Sequence, residues 1–203
     1  MSQASLLKNI AETGYNVGFG GRKHWATYDI VEKVPGFIGF LGTAVGIFAL
    51  VYDSLSAKNI SATMAVIGII GIYISVYDAK KSEYERSAVE LTKIYNSLRD
   101  LYRKVQSLPA DADFTTCQGE LSDLEGRYYN ASINKQILFS DWYAHYKFFW
   151  QYQIDWVNEQ KNFSLVRDKV PLTAWLAVVA VLVSIGAYLV SCIDTIKVCL
   201  GIA

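Results

Sequence analysis

The sequence has few of the residues from which catalytic and metal sites are built. Its 203 residues include only two histidines and three cysteines. The cysteines have no C-x-x-C spacing, and His24 lies far from His145 in the sequence, so no zinc-type ligand set is apparent. No spacing indicates a Ser-His-Asp or Cys-His arrangement. We therefore expect no enzyme activity, no bound metal and no cofactor.

Net charge is also missing, because 19 basic residues balance 19 acidic ones. Bulk charge thus indicates no direct nucleic-acid partner. Charge is absent altogether from three apolar stretches, residues 35–52, 60–77 and 171–193. As helices they would be about 27, 27 and 34 Å long, close to the roughly 30 Å of a bilayer's hydrocarbon core. We predict three transmembrane helices, with the lipid bilayer as an obligatory partner.

The predicted fold class is an all-α membrane protein with an N-terminal transmembrane helical hairpin, a long cytoplasmic antiparallel helical hairpin and one C-terminal transmembrane helix. Its predicted segments are a cytoplasmic juxtamembrane segment (1–33), a two-helix transmembrane hairpin (34–77), a cytoplasmic helical region (78–170), a third transmembrane helix (171–193) and an external tail (194–203).

The lysine and arginine distribution predicts the orientation. Basic residues precede the first span, whereas the loop to the second span carries Lys58 alone. Further basic residues follow the second span and precede the third, and Lys197 stands alone in the tail. Cytoplasmic loops are enriched in Lys and Arg. We predict that the N-terminus and residues 78–170 are cytoplasmic and that the C-terminus is outside.

A glycine-rich stretch, residues 14–36, precedes the first span. It lacks the Gly-Lys-Ser/Thr step of a phosphate-binding loop, because Lys23 follows Arg22 and precedes His24. A dinucleotide-binding loop would need its third glycine where Lys23 stands. We predict instead that Gly14 to Gly21 form a bend between an N-terminal helix and a basic amphipathic helix. Arg22, Lys23 and Trp25 would then meet lipid headgroups.

The region between the second and third spans reads as helical almost throughout. Apolar residues recur at steps of three and four before Pro109, and we predict that this stripe pairs with a following antiparallel helix. The pairing residues are Leu91, Ile94, Leu98, Leu101 and Val105. Residues 138–163 then hold ten aromatics. They indicate either a helix along the inner leaflet, with Trp150 and Trp156 at the interface, or an aromatic core between cytoplasmic helices.

The spans contain no ionisable residue, which disfavours a pump or coupled transporter. Small residues instead recur on one face of each span, and such faces allow close helix packing in lipid. They are Gly39, Gly42 and Gly46 in the first span, Ala65 and Gly68 in the second, and Ala177, Ala180, Ser184 and Ala187 in the third. These faces fit a three-helix protomer, and they also predict a homo-oligomer.

The juxtamembrane stretch RKHWATYDIVEKV, the close pair of glycine-rich spans and the helix KKSEYERSAVELTKIYNSLRDLYRKV resemble the SLATT family of bacterial two-transmembrane effectors. The resemblance covers residues 5–135. It implies an effector of anti-phage defence that breaches the inner membrane on a cytoplasmic signal from a separate sensor or signal-producing protein. The third span departs from the two-helix pattern. The alternative is a membrane-anchored scaffold or accessory subunit that docks a partner through its coiled hairpin.

Overall fold

A computed structural model describes the backbone of residues 1–200 and the side chains as far as Leu189. The predicted tail, residues 194–203, falls outside the side chains so described. The helices are α1 (Gln3–Ala49), α2 (Lys58–Ser75), α3 (Lys81–Ser107), α4 (Thr115–Ala131), α5 (Ser140–Gln151), α6 (Asp155–Lys161) and α7 (Leu172–Leu200). Segments of α1, of α2 and of α7 are long and apolar enough to cross a membrane. The all-α membrane fold is confirmed.

Helix α1 passes without a break through the glycine-rich stretch. It starts where the Ser2 hydroxyl accepts a hydrogen bond from the backbone N–H of Ser5, at 3.3 Å, and it contains Pro35 in its interior. Its 47 residues correspond to about 70 Å. The bend predicted between Gly14 and Gly21 is therefore wrong, and one helix serves both the membrane and the part of the chain before it.

Residues Met1–Asn162 form one compact unit. In it, the N-terminal part of α1 packs with α3, α4, α5 and α6, an assembly that we call the helical body. The C-terminal part of α1 and α2 form the span hairpin, joined by a short 3₁₀ turn at Asp53–Ser56. A second 3₁₀ turn, Asp78–Lys80, connects α2 to α3. The span hairpin and the helical body thus share α1 as a common element.

Helix α3 makes its most extensive contact with α1, and α4 lies on it as a second neighbour. The α3–α4 pair is an antiparallel hairpin, as predicted, with Lys104 bound to Glu120 at 2.8 Å and Arg127 bound to Glu90 at 2.7 Å. Its second arm is short because α4 ends at Ala131. The non-helical linker 132–139 follows, and α5 and α6 are separate short helices.

Residues 163–203 form a second unit. It contains α7, whose start at Leu172 follows Pro171, a residue that suits the N-terminal end of a helix. The indole Nε1 of Trp175 donates a hydrogen bond of 3.1 Å to the carbonyl of Val166, which ties the first turns of α7 to the segment before it.

Candidate functional site

Three glycines on α1 lie where a side chain would have little or no room against the neighbouring elements, and we call them the glycine face: Gly14, Gly18 and Gly21. A Cβ atom at Gly18 would lie 2.7 Å from the Tyr95 ring and 2.8 Å from the Phe148 ring. At Gly14 it would meet the Trp156 ring, and at Gly21 it would lie 3.3 Å from Cβ of Leu91. The glycines therefore admit the aromatic side chains of α3, α5 and α6 to the surface of α1.

The side chains predicted to meet lipid headgroups make contacts within the helical body. The Arg22 guanidinium lies over the Tyr152 ring, 3.8 Å from its centre, and Lys23 binds Asp141 at 2.6 Å. The Trp25 indole donates to the Thr92 hydroxyl of α3 at 3.3 Å. Trp156 is 6% exposed, so its ring has almost no surface left for a headgroup, whereas Trp150 is 61% exposed.

The two sides of helix α5 differ in exposure, and this difference accounts for the two interpretations of the aromatic segment. One side is buried against α1, and its Phe148 contacts the Tyr15 and Phe19 rings edge to face. The other side is exposed and carries aromatic residues at steps of three and four, namely Phe139, Trp142, Tyr146 and Trp150. The inner side is an aromatic core, and the outer side retains the composition of a membrane-interface helix.

The pairing stripe predicted on α3 is buried along its whole length: Leu91, Ile94, Leu98, Leu101 and Val105 are each at most 3% exposed. Leu91 lies against Gly21 of α1. At the other end, the Gln3 amide donates to the carbonyls of Val105 and Leu108, at 2.9 and 2.7 Å. Helix α1 is thus a major partner of the stripe, which the sequence interpretation had assigned to the following helix.

Side chains of α1 and α3 form hydrogen bonds with backbone groups of the linker 132–139. The Tyr84 hydroxyl donates to the Lys135 carbonyl, and the Ser87 hydroxyl donates to the Ala131 carbonyl at the end of α4. Ile137 is buried with Val31 at the base of the span hairpin. The linker needs such partners because it has no helical hydrogen bonds of its own.

His24 is the polar centre of this arrangement. Its Nδ1 lies 2.7 Å from the Gly20 carbonyl, which can only accept, so Nδ1 carries the proton. Its Nε2 then accepts from the backbone N–H of Ile133 at 3.0 Å and from the Gln136 amide at 3.2 Å. Burial lowers the pKa of His24, and the nearby Lys23 charge acts in the same direction. The neutral imidazole therefore bridges α1 and the linker.

Ion pairs surround the level at which the helical body meets the span hairpin. Asp29 binds Lys33 and Lys147 at 2.6 Å each, and Lys81 binds Glu32 at 2.6 Å and Asp78 at 3.4 Å. Burial alone would raise the pKa of Asp29, but the hydrogen bonds from the two lysines outweigh it and leave that pKa lowered. These pairs mark a polar boundary directly beside the apolar spans.

The small residues that the sequence predicts to pack the spans make few contacts within the span hairpin. A Cβ atom at Gly39, Gly46 or Gly68 would have no neighbour within 4 Å, and one at Gly42 would meet only the Met64 methyl group, at 3.9 Å. Ala65 is exposed on α2.

The small residues predicted on the third span lie on α7. The Ser184 hydroxyl donates to the Ala180 carbonyl at 2.9 Å, and Ala177 and Ala187 lie on the same helix.

Among the described residues, no group of three His, Cys, Asp or Glu side chains could hold a metal ion. The fold and these contacts define a membrane protein in which a helical body is built on the same helix as a two-helix span hairpin. The model of the SMODS and SLOG-associating 2TM effector domain 6 matches residues 1–178, and the chain belongs to this SLATT family. The match ends within the first turns of α7. No curated protein and no solved structure is detectably similar to the chain.

Proposed function

We propose that the protein is an inner-membrane effector of bacterial anti-phage defence that oligomerises through its spans and permeabilises the membrane when its helical body receives a signal. Membership of a two-transmembrane effector family supports the effector role. The helical body and residues 78–170 face the cytoplasm in this proposal, because the basic residues concentrate there. The protein has no enzyme activity of its own.

The observation that carries the proposal is the unused small-residue face of α1. Gly39 and Gly46 lie on a span, and a Cβ atom added to either would have no neighbour within 4 Å in the protomer. In lipid, close backbone packing at such residues is a main source of helix association. A protomer that needed these glycines only for its own hairpin would have its second helix against them. They are therefore the residues through which we expect copies of the chain to associate.

The composition of the spans favours a poorly selective breach. Residues 35–52 and 60–77 carry no charge, and selective channels need rings of carbonyl groups or charged side chains. The signal is expected from a separate sensor or signal-producing protein that acts on the helical body. The scaffold function remains the alternative, in which the exposed faces of α3 and α4 dock a partner and the membrane stays intact.

The test is inducible expression in bacteria with a membrane-potential dye, with and without phage infection. Gly39→Leu and Gly46→Leu should abolish depolarisation and cross-linked oligomers, because a bulky side chain would hold apart the backbones of two copies. Gly42→Leu tests the third glycine of the same face, and Ser184→Leu tests the small-residue face of the third span in the same assay. Phe40→Leu is the matched control, since it replaces an exposed apolar side chain of the same span and changes no small residue.

Membrane insertion of every variant is measured by extraction and protease protection, so that loss of activity is separated from loss of protein. If the wild-type protein never depolarises infected cells and the leucine variants behave like it, the effector mechanism is wrong and the scaffold function is supported.

A further inference from the structure

The base of the span hairpin contains an apolar pocket of about 390 Å³. Its walls come from three parts of the first unit. They are Ile30 and Val34 of α1, Ile70 and Tyr73 of α2, and Leu138 and Phe139 at the end of the linker 132–139. We call it the boundary pocket. It combines side chains of the spans with side chains of the helical body.

We propose that the boundary pocket binds one acyl chain of an anionic phospholipid from the surrounding leaflet. Ile70 belongs to an apolar span and is 47% exposed, so the medium at this wall of the pocket is the bilayer. A void lined by apolar side chains loses dispersion contacts unless something apolar fills it. An acyl chain is the apolar group that is always present at that position.

The backbone at the edge of the pocket supports a binding role. Phe139 has φ 67°, in the left-handed region, which a bulky residue rarely occupies. Such conformations persist only where surrounding structure holds them, and they concentrate at ligand-binding sites. Leu138 and Phe139 both line the pocket with residues of α2, and each is 63% exposed. Two adjacent large apolar side chains in that position gain stability by entering the lipid.

The charges near the pocket favour an anionic headgroup. Lys33 lies between Ile30 and Val34 in the sequence and shares the single carboxylate of Asp29 with Lys147 of α5. Lys135 lies 5.5 Å from the centre of the Tyr77 ring, two residues before the buried Ile137. The carboxylates of Glu32 and Asp78 are both bound to Lys81, so these three lysines and three carboxylates balance. Lys135 adds one positive charge to the group, and a phosphate that reaches Lys33 and Lys135 would meet that excess.

The test uses the full chain in lipid nanodiscs of phosphatidylcholine with phosphatidylglycerol that carries a photoreactive diazirine in one acyl chain. After irradiation, peptide mass spectrometry should find adducts concentrated at Ile70, Leu138 and Phe139. Ile70→Trp fills the pocket and should lower adducts on Leu138 and Phe139 about tenfold. Ile72→Trp is the matched control, because Ile72 is exposed on the same helix and does not line the pocket.

Lys33→Gln tests the headgroup. It should reduce the excess of labelling by the phosphatidylglycerol probe over a phosphatidylcholine probe, whereas Lys58→Gln at the other end of α2 should not. Adducts spread evenly over α2, or equal labelling in Ile70→Trp and Ile72→Trp, would show ordinary lipid contact only and overturn the proposal. A disulfide between a cysteine at Leu138 and a cysteine introduced in another span would also overturn it, because a helix would then occupy the position assigned to the lipid. No trigger or depolarisation enters these measurements, so their failure leaves the effector mechanism untouched.

Discussion

At the residue scale, the absence of a side chain at Gly14, Gly18 and Gly21 determines how the helical body packs. Glycine in a helix interior costs about 0.5–1 kcal/mol relative to alanine. The aromatic rings that the glycine face admits bury far more surface, since Tyr95 and Phe148 are each at most 1% exposed. The local cost is offset by tertiary packing, which is why a stretch with several glycines remains helical.

Gly18→Ala should destabilise the protein by about 1–3 kcal/mol, because the new methyl group would overlap the Tyr95 and Phe148 rings. Gly126→Ala is the control, since a Cβ atom there has no neighbour within 4 Å and alanine favours the helix by up to about 1 kcal/mol. Thermal unfolding in detergent measures both. A Gly18→Ala variant as stable as the Gly126→Ala variant would contradict the close packing.

His24 predicts a pH dependence of stability. Its folded-state pKa lies below 6.5, so below that pH the unfolded chain binds the proton more readily than the folded one. The stability that depends on neutral His24 is complete above pH 6.5 and is lost as the pH falls through the lowered folded pKa. Protonation would also set an Nε2–H against the N–H of Ile133 and the Gln136 amide.

Unfolding free energies measured between pH 8 and pH 5.5 should therefore fall less in His24→Asn than in the wild-type protein. Burial also lowers the pKa of His145, so His145→Asn should remove a further part of the slope. An identical pH dependence in the wild-type protein and both variants would exclude this role for the histidines.

At the element scale, the linker 132–139 is a non-helical segment whose sequence contains no proline or glycine. It leaves the helix because its backbone groups find partners on α1 and α3, among them the Tyr84 hydroxyl and His24. Tyr84→Phe removes one partner and leaves the Lys135 carbonyl without it, at a cost of about 1–3 kcal/mol. Hydrogen exchange at residues 133–137 should become faster.

Ser107→Ala is the matched control for this measurement. Its hydroxyl also donates to a backbone carbonyl, that of Lys104, but at an exposed position far from the linker in the sequence. Unchanged exchange in Tyr84→Phe, or an equal effect of Ser107→Ala, would mean that the side chains do not hold the linker.

The helices differ in how far the sequence could predict them. Charge-free runs of bilayer length define the spans without knowledge of the fold, and the spacing of Leu91, Leu98 and Val105 predicts a buried stripe on α3. The path of α1 could not be predicted this way, because glycine is compatible both with a bend and with close packing inside a helix. Only the partner, Trp156 for Gly14, distinguishes the two, and it lies more than a hundred residues away.

The candidate site was harder to predict than the spans for the same reason. His24 and Gln136 become neighbours through tertiary packing alone, and no local spacing links them. The aromatic segment contained a usable signal, since Phe139, Trp142, Tyr146 and Trp150 recur on one helical face, whereas Ala144 and Phe148 lie on another. Separating these two faces would have predicted that α5 has one buried and one exposed side.

At the scale of the whole molecule, α1 runs from the helical body into the span hairpin as one continuous helix. A displacement of α3 or α5 against the glycine face would act on the same helix that carries Gly39 and Gly46 into the membrane. The Lys81–Glu32 pair and the lysines on Asp29 hold α3 and α5 to α1 at the boundary. In the proposed function, a signal received by the helical body would therefore act on the spans through α1.

This route requires the turn of the span hairpin and the tip of the α3–α4 hairpin to lie on opposite sides of the membrane. Ser56, in the 3₁₀ turn between the spans, and Ser107, at the end of α3, are both exposed and can be replaced by single cysteines in a chain whose native cysteines are changed to alanine. In intact cells, a membrane-impermeant maleimide should label Ser56→Cys and leave Ser107→Cys unlabelled until the membrane is opened. The Lys and Arg distribution predicts this result, since Lys58 alone lies in the loop after the first span while basic residues surround the helical body. If both cysteines react from the same side, α2 does not cross the bilayer, and neither the boundary pocket nor the oligomerising spans can have the roles assigned to them.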